Sequence, residues 1–237
     1  MALDPLTVGP ARFRVGPWHE DPDVAYLIPL TTAITLRPDV LSGARERLRA
    51  MGFSRLYTAA VGPAERDAMT NDEFVVHEEL HLLRHNLQSA LPTPPTGRYR
   101  PRLRRGRRAD HEALLELDRD AFGPFWRLDR NGLHEALNAT PTSRLRVTDD
   151  GARSGYSITG RAGHHGYLQR LAVAPAIWSR GLGTALLADS LHWLRRRGVT
   201  SVLVNTQMTN ERALKLYERA GFEREPDRLS VLQRELR

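Results

Sequence analysis

The stretch "GYLQRLAVAPAIWSRGLGTALLADSLHWLRRRG", residues 166–198, constrains the fold more than any other part of the chain. A strand-like apolar run passes through a proline into a turn with two glycines, Gly181 and Gly183. The turn opens a helix in which Leu186, Leu187, Leu191 and Leu194 keep helical phase, and Gly198 is a fitting stop. Successive backbone N–H groups at such a helix start form an anion site, helped by the helix dipole. Glycine lets the backbone approach a ligand and allows positive φ. Two glycines before a helix do not name the anion. The dinucleotide-binding pattern fails because no third glycine follows at the right spacing, and the P-loop pattern fails because there is no Gly-Lys-Ser/Thr.

The segments around this turn alternate in type. "SRLRVT", "GYSITGRA" and "GYLQRLAVAP" read as strands separated by the turn-like "DDGARS" and "GHHG". "SVLVNTQ" reads as a buried strand, "NERALKLYERAGF" as a helix ended by Gly221, and "RLSVLQREL" as a last strand. Upstream, Asp110 is a candidate N-cap for a helix with Ala113, Leu114, Leu117 and Ala121 on one face. "FGPFWRLDRNGLHEALNAT" reads as a loop and a second helix. The expected fold class is α/β layers. "SALPTPPTGRYRPR" has linker composition. The chain therefore divides into an αβ N-terminal domain (1–91), a proline-rich linker (92–100) and a larger domain (101–237). The N-terminal part holds a faint copy of the C-terminal one. "LRAMGFSRLYTAA" lies over "LRRRGVTSVLVNT" without a gap, so that Gly52 matches Gly198. "FVVHEELHLLRHNL" lies over "FEREPDRLSVLQREL". The first copy carries "RPDVLSGARERL" in place of the glycine turn, so it is expected to be blind to phosphate. Chance likeness between two αβ units is the alternative.

Composition excludes several kinds of chemistry. There are no cysteines, so thiolate ligands, thiolate nucleophiles and disulfides are ruled out. The N-terminus lacks the basic start and apolar stretch of a signal peptide, and no run reaches the length of a membrane span. A cytoplasmic protein is expected. The net charge of +7 is matched by seven arginines in "RYRPRLRRGRR" alone, so the basicity is local. Such density favours nucleic acid through counterion release. Only Tyr99 interleaves with it, however, no DNA-binding motif is present, and part of the stretch is needed as a strand. "HEELH" (His77 to His81) matches a zinc-protease pattern if helical, with His85 in phase. Its alignment with the final strand makes it a strand instead, with Glu78 opposite the histidines. No metal is expected.

With "LQRLAVAPAIWSRGLGTALL" followed by "VNTQMTNERALKLYERAGF", the chain from about Arg102 onward resembles the GCN5-related N-acetyltransferase (GNAT) superfamily. The resemblance implies a mixed, mostly antiparallel sheet flanked by helices, with a splayed central strand pair. It implies that Leu171, Ala172 and Val173 offer backbone groups to the pantetheine arm of acetyl-CoA. It further implies that Ser179, Arg180, Gly181, Leu182, Gly183, Thr184 and Ala185 receive the pyrophosphate. The family pattern Gln/Arg-x-x-Gly-x-Gly/Ala places its first residue on Trp178, which departs from it; Arg180 is a candidate source of the missing charge. Asn210, Ala213 and Tyr217 fit "N..A..LYE..GF". By resemblance Asn210 contacts the cofactor, a role compatible with capping the helix, and Tyr217 protonates the departing CoA thiolate. A packing role for Tyr217 is the alternative.

A thiolate with a pKa near ~8.5 is a leaving group that a phenol can protonate. The attacking amine must also lose a proton. Many family members carry a Glu on the splayed strand for this; Gln169 stands in that region and is no base. His164, His165 or a water chain are the alternatives, and the base is left unassigned. The oxyanion is expected to meet a backbone N–H near Ala172 or Val173. Phe122, Phe125 and Trp126 either line an acceptor pocket or belong to the core. The expected function is acetyl-CoA-dependent transfer to a primary amine of a peptide, protein or small molecule, by direct attack in a ternary complex. The competing expectation is a non-catalytic acyl-CoA-binding regulatory protein.

Overall fold

The computed structural model describes residues 3–19, 21–93, 101–151 and 153–236. The elements run β1 (Asp4–Val8), β2 (Ala11–Trp18), β3 (Asp21–Pro29), α1 (Pro38–Ala50), β4 (Arg55–Thr58), α2 (Pro63–Thr70) and β5 (Val75–Asn86). There follow β6 (Leu103–Arg105), α3 (His111–Ala121), α4 (Arg130–Asn138), β7 (Thr142–Thr148), β8 (Gly155–Ala162) and β9 (His165–Val173). The chain then forms α5 (Leu182–Arg195), β10 (Ser201–Gln207), α6 (Glu211–Arg219) and β11 (Glu223–Glu235). Most of the expected linker, with Arg98, Tyr99 and Arg100, lies outside the described residues. Two compact units form, and neither is a continuous segment. The first holds residues 1–82, 205–209 and 225–237; the second holds 83–204 and 210–224.

In the first unit, β1, β2 and β3 form an antiparallel meander, β4 joins β3 in parallel, and β11 pairs antiparallel with β4 through Gln233–Tyr57 and Arg234–Leu56. Period-two alternation sends Phe13, Val15, Ala25, Leu27 and Leu56 to one face, where Val40, Leu41, Ala44 and Leu48 of α1 cover them. The spacing of those α1 residues is that of one helical stripe. The helix begins on Pro38, whose ring nitrogen has no hydrogen to offer an anion. It stops before Gly52, at φ +97°. Three strands, one helix, one strand, one helix and one strand thus occur twice, as β1 to β5 and as β7 to β11.

In the second unit, β6 to β9 are antiparallel neighbours and β10 runs parallel to β9. Both faces of β8 are buried. Tyr156 and Ile158 pack with Leu114, Leu115 and Leu117 of α3 and Leu133 of α4. Ser157 and Thr159, on the opposite face, meet the Ser190 hydroxyl of α5 at 3.3 and 2.9 Å. A second cluster gathers Leu187, Leu191 and Leu194 of α5 with Leu214 and Tyr217 of α6 and Phe222. Each polar pair between packed elements satisfies groups that burial would otherwise penalise.

Asp110 stands where an N-cap was expected, but its carboxylate does not cap α3. It accepts from Arg104 at 2.7 and 2.8 Å, from Arg153 at 2.8 Å and from the Arg107 N–H at 2.8 Å. Arg104 also meets Asp149. Those guanidiniums hold the Asp110 carboxyl well below the usual carboxylate range, Arg104 foremost. Part of the arginine run is therefore committed inside the protein. The "HEELH" residues lie in β5, not on a helix. Among the described residues, no cluster of acidic and histidine side chains has the makings of a metal site. No helix among them is long and apolar enough to cross a membrane.

Candidate functional site

The parallel ladder between β9 and β10 is short: His165–Ser201, Gly166–Val202 and Tyr167–Leu203. From Leu168 to Val173, β9 goes on pairing with β8, but this ladder to β10 has ended. Gln169 is the extra residue of a bulge, because Ile158 faces Arg170 while Thr159 faces Leu168. A bulge strengthens local twist, which turns β9 away from a straight neighbour. Leu171, Ala172 and Val173 lie on the diverging part and face Ser157, Tyr156 and Gly155 of β8.

The chain then enters the glycine turn. Ser179 has φ +61° and Gly181 φ +87°, so Arg180 lies between two left-handed residues. A serine in that region is strained, and such strain gathers where a backbone must be aimed. Gly181 is the N-cap of α5, and no side chain caps this end. The first helical bond runs from the Ala185 N–H to the Gly181 carbonyl at 3.0 Å. Leu182, Gly183 and Thr184 thus begin a helix with their N–H groups directed outward. The other two helices of this unit that start abruptly are capped. The Asp129 carboxylate accepts from Gly132 at 2.6 Å in α4, and the Asn210 amide oxygen accepts from Ala213 at 3.1 Å in α6.

The two glycines have different tasks. Gly181 supplies a left-handed φ. At Gly183, an added Cβ would lie 3.2 Å from Leu216 of α6 and 4.0 Å from Leu171 and Val173 of β9. Its missing side chain lets α6 and the end of β9 close in on the start of α5. Ala213 and Leu216 pack at the same cluster. The sequence-predicted residues of the turn, of β9 and of α6 are thereby neighbours.

Tyr217 is 6% exposed and leans on Phe222, with ring centroids 5.7 Å apart. Burial pushes its phenol up to about 12, partly offset by the Arg170 charge, which also shows that it lies near β9. It is a neutral proton donor at ordinary pH. Arg170 itself belongs to a buried network that local sequence pattern does not reveal. It donates to Asp118 at 2.8 and 2.6 Å and to the Trp126 carbonyl at 2.7 Å, and lies 3.5 Å over the Phe122 ring. Asp118 also accepts from the Tyr156 hydroxyl at 2.5 Å and the Leu128 N–H at 2.6 Å. Of the three aromatics weighed for an acceptor pocket, Phe122 is therefore packed beneath Arg170, with its loop tied to β9.

His164 and His165 lie away from the glycine turn. The His164 ring contacts the Gly198 carbonyl and the His165 ring the Ser201 hydroxyl, at the far end of β9. Eight residue steps of strand place Val173 about 26 Å away. Trp178, out of pattern in the sequence, has a defined place. Its indole N–H donates to the Val173 carbonyl at 2.7 Å, and Arg212 of α6 stacks 3.4 Å over its ring.

The fold and sequence both have known counterparts. A tandem GNAT protein from the clavulanic acid biosynthesis pathway aligns with 96% of this chain and 79% of its own, at a TM-score of 0.71 and 15% identity. Mycothiol acetyltransferase of Rhodococcus jostii is 46% identical over 54 residues, covering 23% of this chain and 18% of that protein. The [ribosomal protein bS18]-alanine N-acetyltransferase of Escherichia coli is 32% identical over 78 residues, covering 33% of this chain and 53% of that protein. The chain thus matches these two relatives over about half of their length or less. The model of the acetyltransferase (GNAT) family matches residues 111–222, a span that contains the divergent strand, the turn, Asn210 and Tyr217. Residues 111–222 are an acetyltransferase domain of the GNAT family.

Proposed function

We propose that the protein is an acetyl-CoA-dependent N-acetyltransferase that acts on a primary amine. One observation carries the reading: a strand that leaves its parallel neighbour at Leu168 leads directly into an uncapped helix start at Gly181. The N–H groups of Leu182, Gly183 and Thr184 suit a pyrophosphate, and Arg180 adds charge at the exposed turn. The backbone of Leu171, Ala172 and Val173 suits the amide-bearing arm of the donor. Asn210 caps α6 and, with Ala213, borders the same place.

In the proposed reaction the amine nitrogen attacks the thioester carbonyl and the C–S bond breaks. A backbone N–H at Ala172 or Val173 steadies the oxyanion. Tyr217 gives its proton to the departing thiolate. A phenol held near 12 is a weaker acid than a thiol at ~8.5, so Tyr217 gives up its proton only in concert with C–S cleavage, and it recovers the proton from solvent afterwards. The amine's proton leaves to water, since Gln169 on the bulge is no base and the two histidines lie at the far end of β9. With no cysteine in the chain, no acetyl-cysteine step intervenes.

The test is release of CoA from acetyl-CoA with a panel of peptide α-amines, lysine side chains and small amines, beside calorimetric titration of CoA. Turnover with one class identifies the acceptor. Binding without turnover would replace the enzyme by a non-catalytic acyl-CoA-binding protein. Absence of binding would sink both.

A further inference from the structure

We infer that Arg212 is a phosphate-binding cation of this site, beside Arg180, and that Trp178 is the residue that positions it. The inference rests on the functional reading above and concerns the residue that departs from the family pattern. Trp178 occupies the position where Gln or Arg is expected, so that position itself provides no charge. Its ring is fixed at one edge by the 2.7 Å bond from its N–H to the Val173 carbonyl. The guanidinium of Arg212 lies on the face of that fixed ring, 3.4 Å from the centroid. A planar cation stacked on indole keeps its N–H fork free at the edge for a phosphate oxygen. The β9 backbone thus orients the indole, and the indole orients the cation.

Electrostatics favours the same assignment. Arg212 is the second residue of α6, at the end of the helix where the dipole disfavours a cation. Its carboxylate neighbour Glu211 is bonded to Lys215 at 2.8 Å. Among the described residues, Arg212 has no ion pair with a carboxylate. A cation in such a place, held by an aromatic ring and not by an acid, is best balanced by a ligand anion. α6 reaches the glycine turn through the Leu216–Gly183 contact, so Arg212 is carried on an element that touches the anion-binding helix start. The ligand group is a phosphate of CoA, either the pyrophosphate or the 3′-phosphate.

Titration calorimetry with CoA and with 3′-dephospho-CoA tests this on the full chain. Arg212→Leu should bind CoA about tenfold more weakly than the unaltered protein, as expected for loss of a charge-assisted bond. Arg212 is exposed, so an unchanged melting temperature should accompany the loss. Trp178→Leu, which removes the ring without installing the Gln or Arg of the family pattern, should weaken binding through the same cation. The double variant Trp178→Arg/Arg212→Leu, which puts a basic residue where the family pattern has one, should recover most of the affinity. A loss confined to CoA assigns the 3′-phosphate; a loss shared with dephospho-CoA assigns the pyrophosphate. If the unaltered protein binds CoA and Arg212→Leu binds within twofold of it, the inference is wrong while the functional reading stands. A double variant no tighter than Arg212→Leu also overturns it. If the unaltered protein binds neither ligand, the functional reading fails, and the inference falls with it.

Discussion

Asp118→Ala should be among the most damaging single substitutions in the second unit. Asp118 is fully buried and accepts four bonds, two from Arg170, one from Tyr156 and one from the Leu128 N–H. Truncation leaves a guanidinium that is 12% exposed with no carboxylate, and a buried phenol hydroxyl without its acceptor. Breaking a buried pair by removing one partner costs about 3–5 kcal/mol. Arg170 retains the Trp126 carbonyl and the Phe122 ring, which keeps the estimate near the middle of that range. At about 2–4 °C per kcal/mol for a chain of this size, the melting temperature should fall by roughly 6–20 °C. Urea unfolding followed by circular dichroism measures the loss. The double variant Asp118→Leu/Arg170→Met should lose less than Asp118→Ala alone, since no charge is stranded. A loss below about 1 kcal/mol for Asp118→Ala, or a double variant worse than the single one, would refute the reasoning.

Tyr217→Phe should lower the turnover rate by about 10²-fold while leaving the dissociation constant for CoA within twofold; equal rates would remove the general-acid role. Gly181→Ala should cost about 1–2 kcal/mol because its φ is left-handed, whereas Gly183→Ala should be nearly neutral, its crowding against a flexible Leu216 tip offset by helix propensity; thermal melts compare the two. His85 is buried beside Phe222, and burial lowers its pKa below the ordinary 6.5. The unfolded chain then binds the proton more readily, so stability is full above about pH 6.5 and declines below it. His85→Leu should flatten that decline between about pH 6.5 and 5, and a variant that declines as steeply as the parent would refute it.

The second unit was legible wherever a pattern was local. The helical phase of Leu186, Leu187, Leu191 and Leu194, the strands "GYSITGRA" and "SVLVNTQ", and the stops at Gly198 and Gly221 all appear where periodicity placed them. The early strands β1 to β3 carry no clean sequence signal. Pro17, Pro22 and Pro29 interrupt them, although Ala11, Phe13 and Val15 alternate as a half-buried strand should. Asp110 takes the N-cap position of α3, as an Asp before a helix signals, but its carboxylate makes no cap bond. Only three-dimensional proximity shows that Arg104 and Arg153 claim the carboxylate instead. The same holds for Asp118 and Arg170, 52 residues apart, and for Trp178 and Arg212. Charge pairing across such distances leaves no periodic trace in a single sequence.

The membership of residues 225–237 in the first unit has a consequence for synthesis. β4 is built from residues 55–58, yet its antiparallel partner β11 is made only after the whole of the second unit's first segment, residues 83–204, has been synthesised. Leu232 and Leu236 join the apolar cluster around Phe13, Leu27 and Leu48, so that cluster is incomplete until translation nears residue 236. Domains usually mature in order from the N-terminus. Here the earlier-made β4 must wait with an unpaired strand edge, an invitation to misassociation. A fragment of residues 1–91 should therefore aggregate or remain unstructured, where supplying residues 223–237 as a peptide should rescue it.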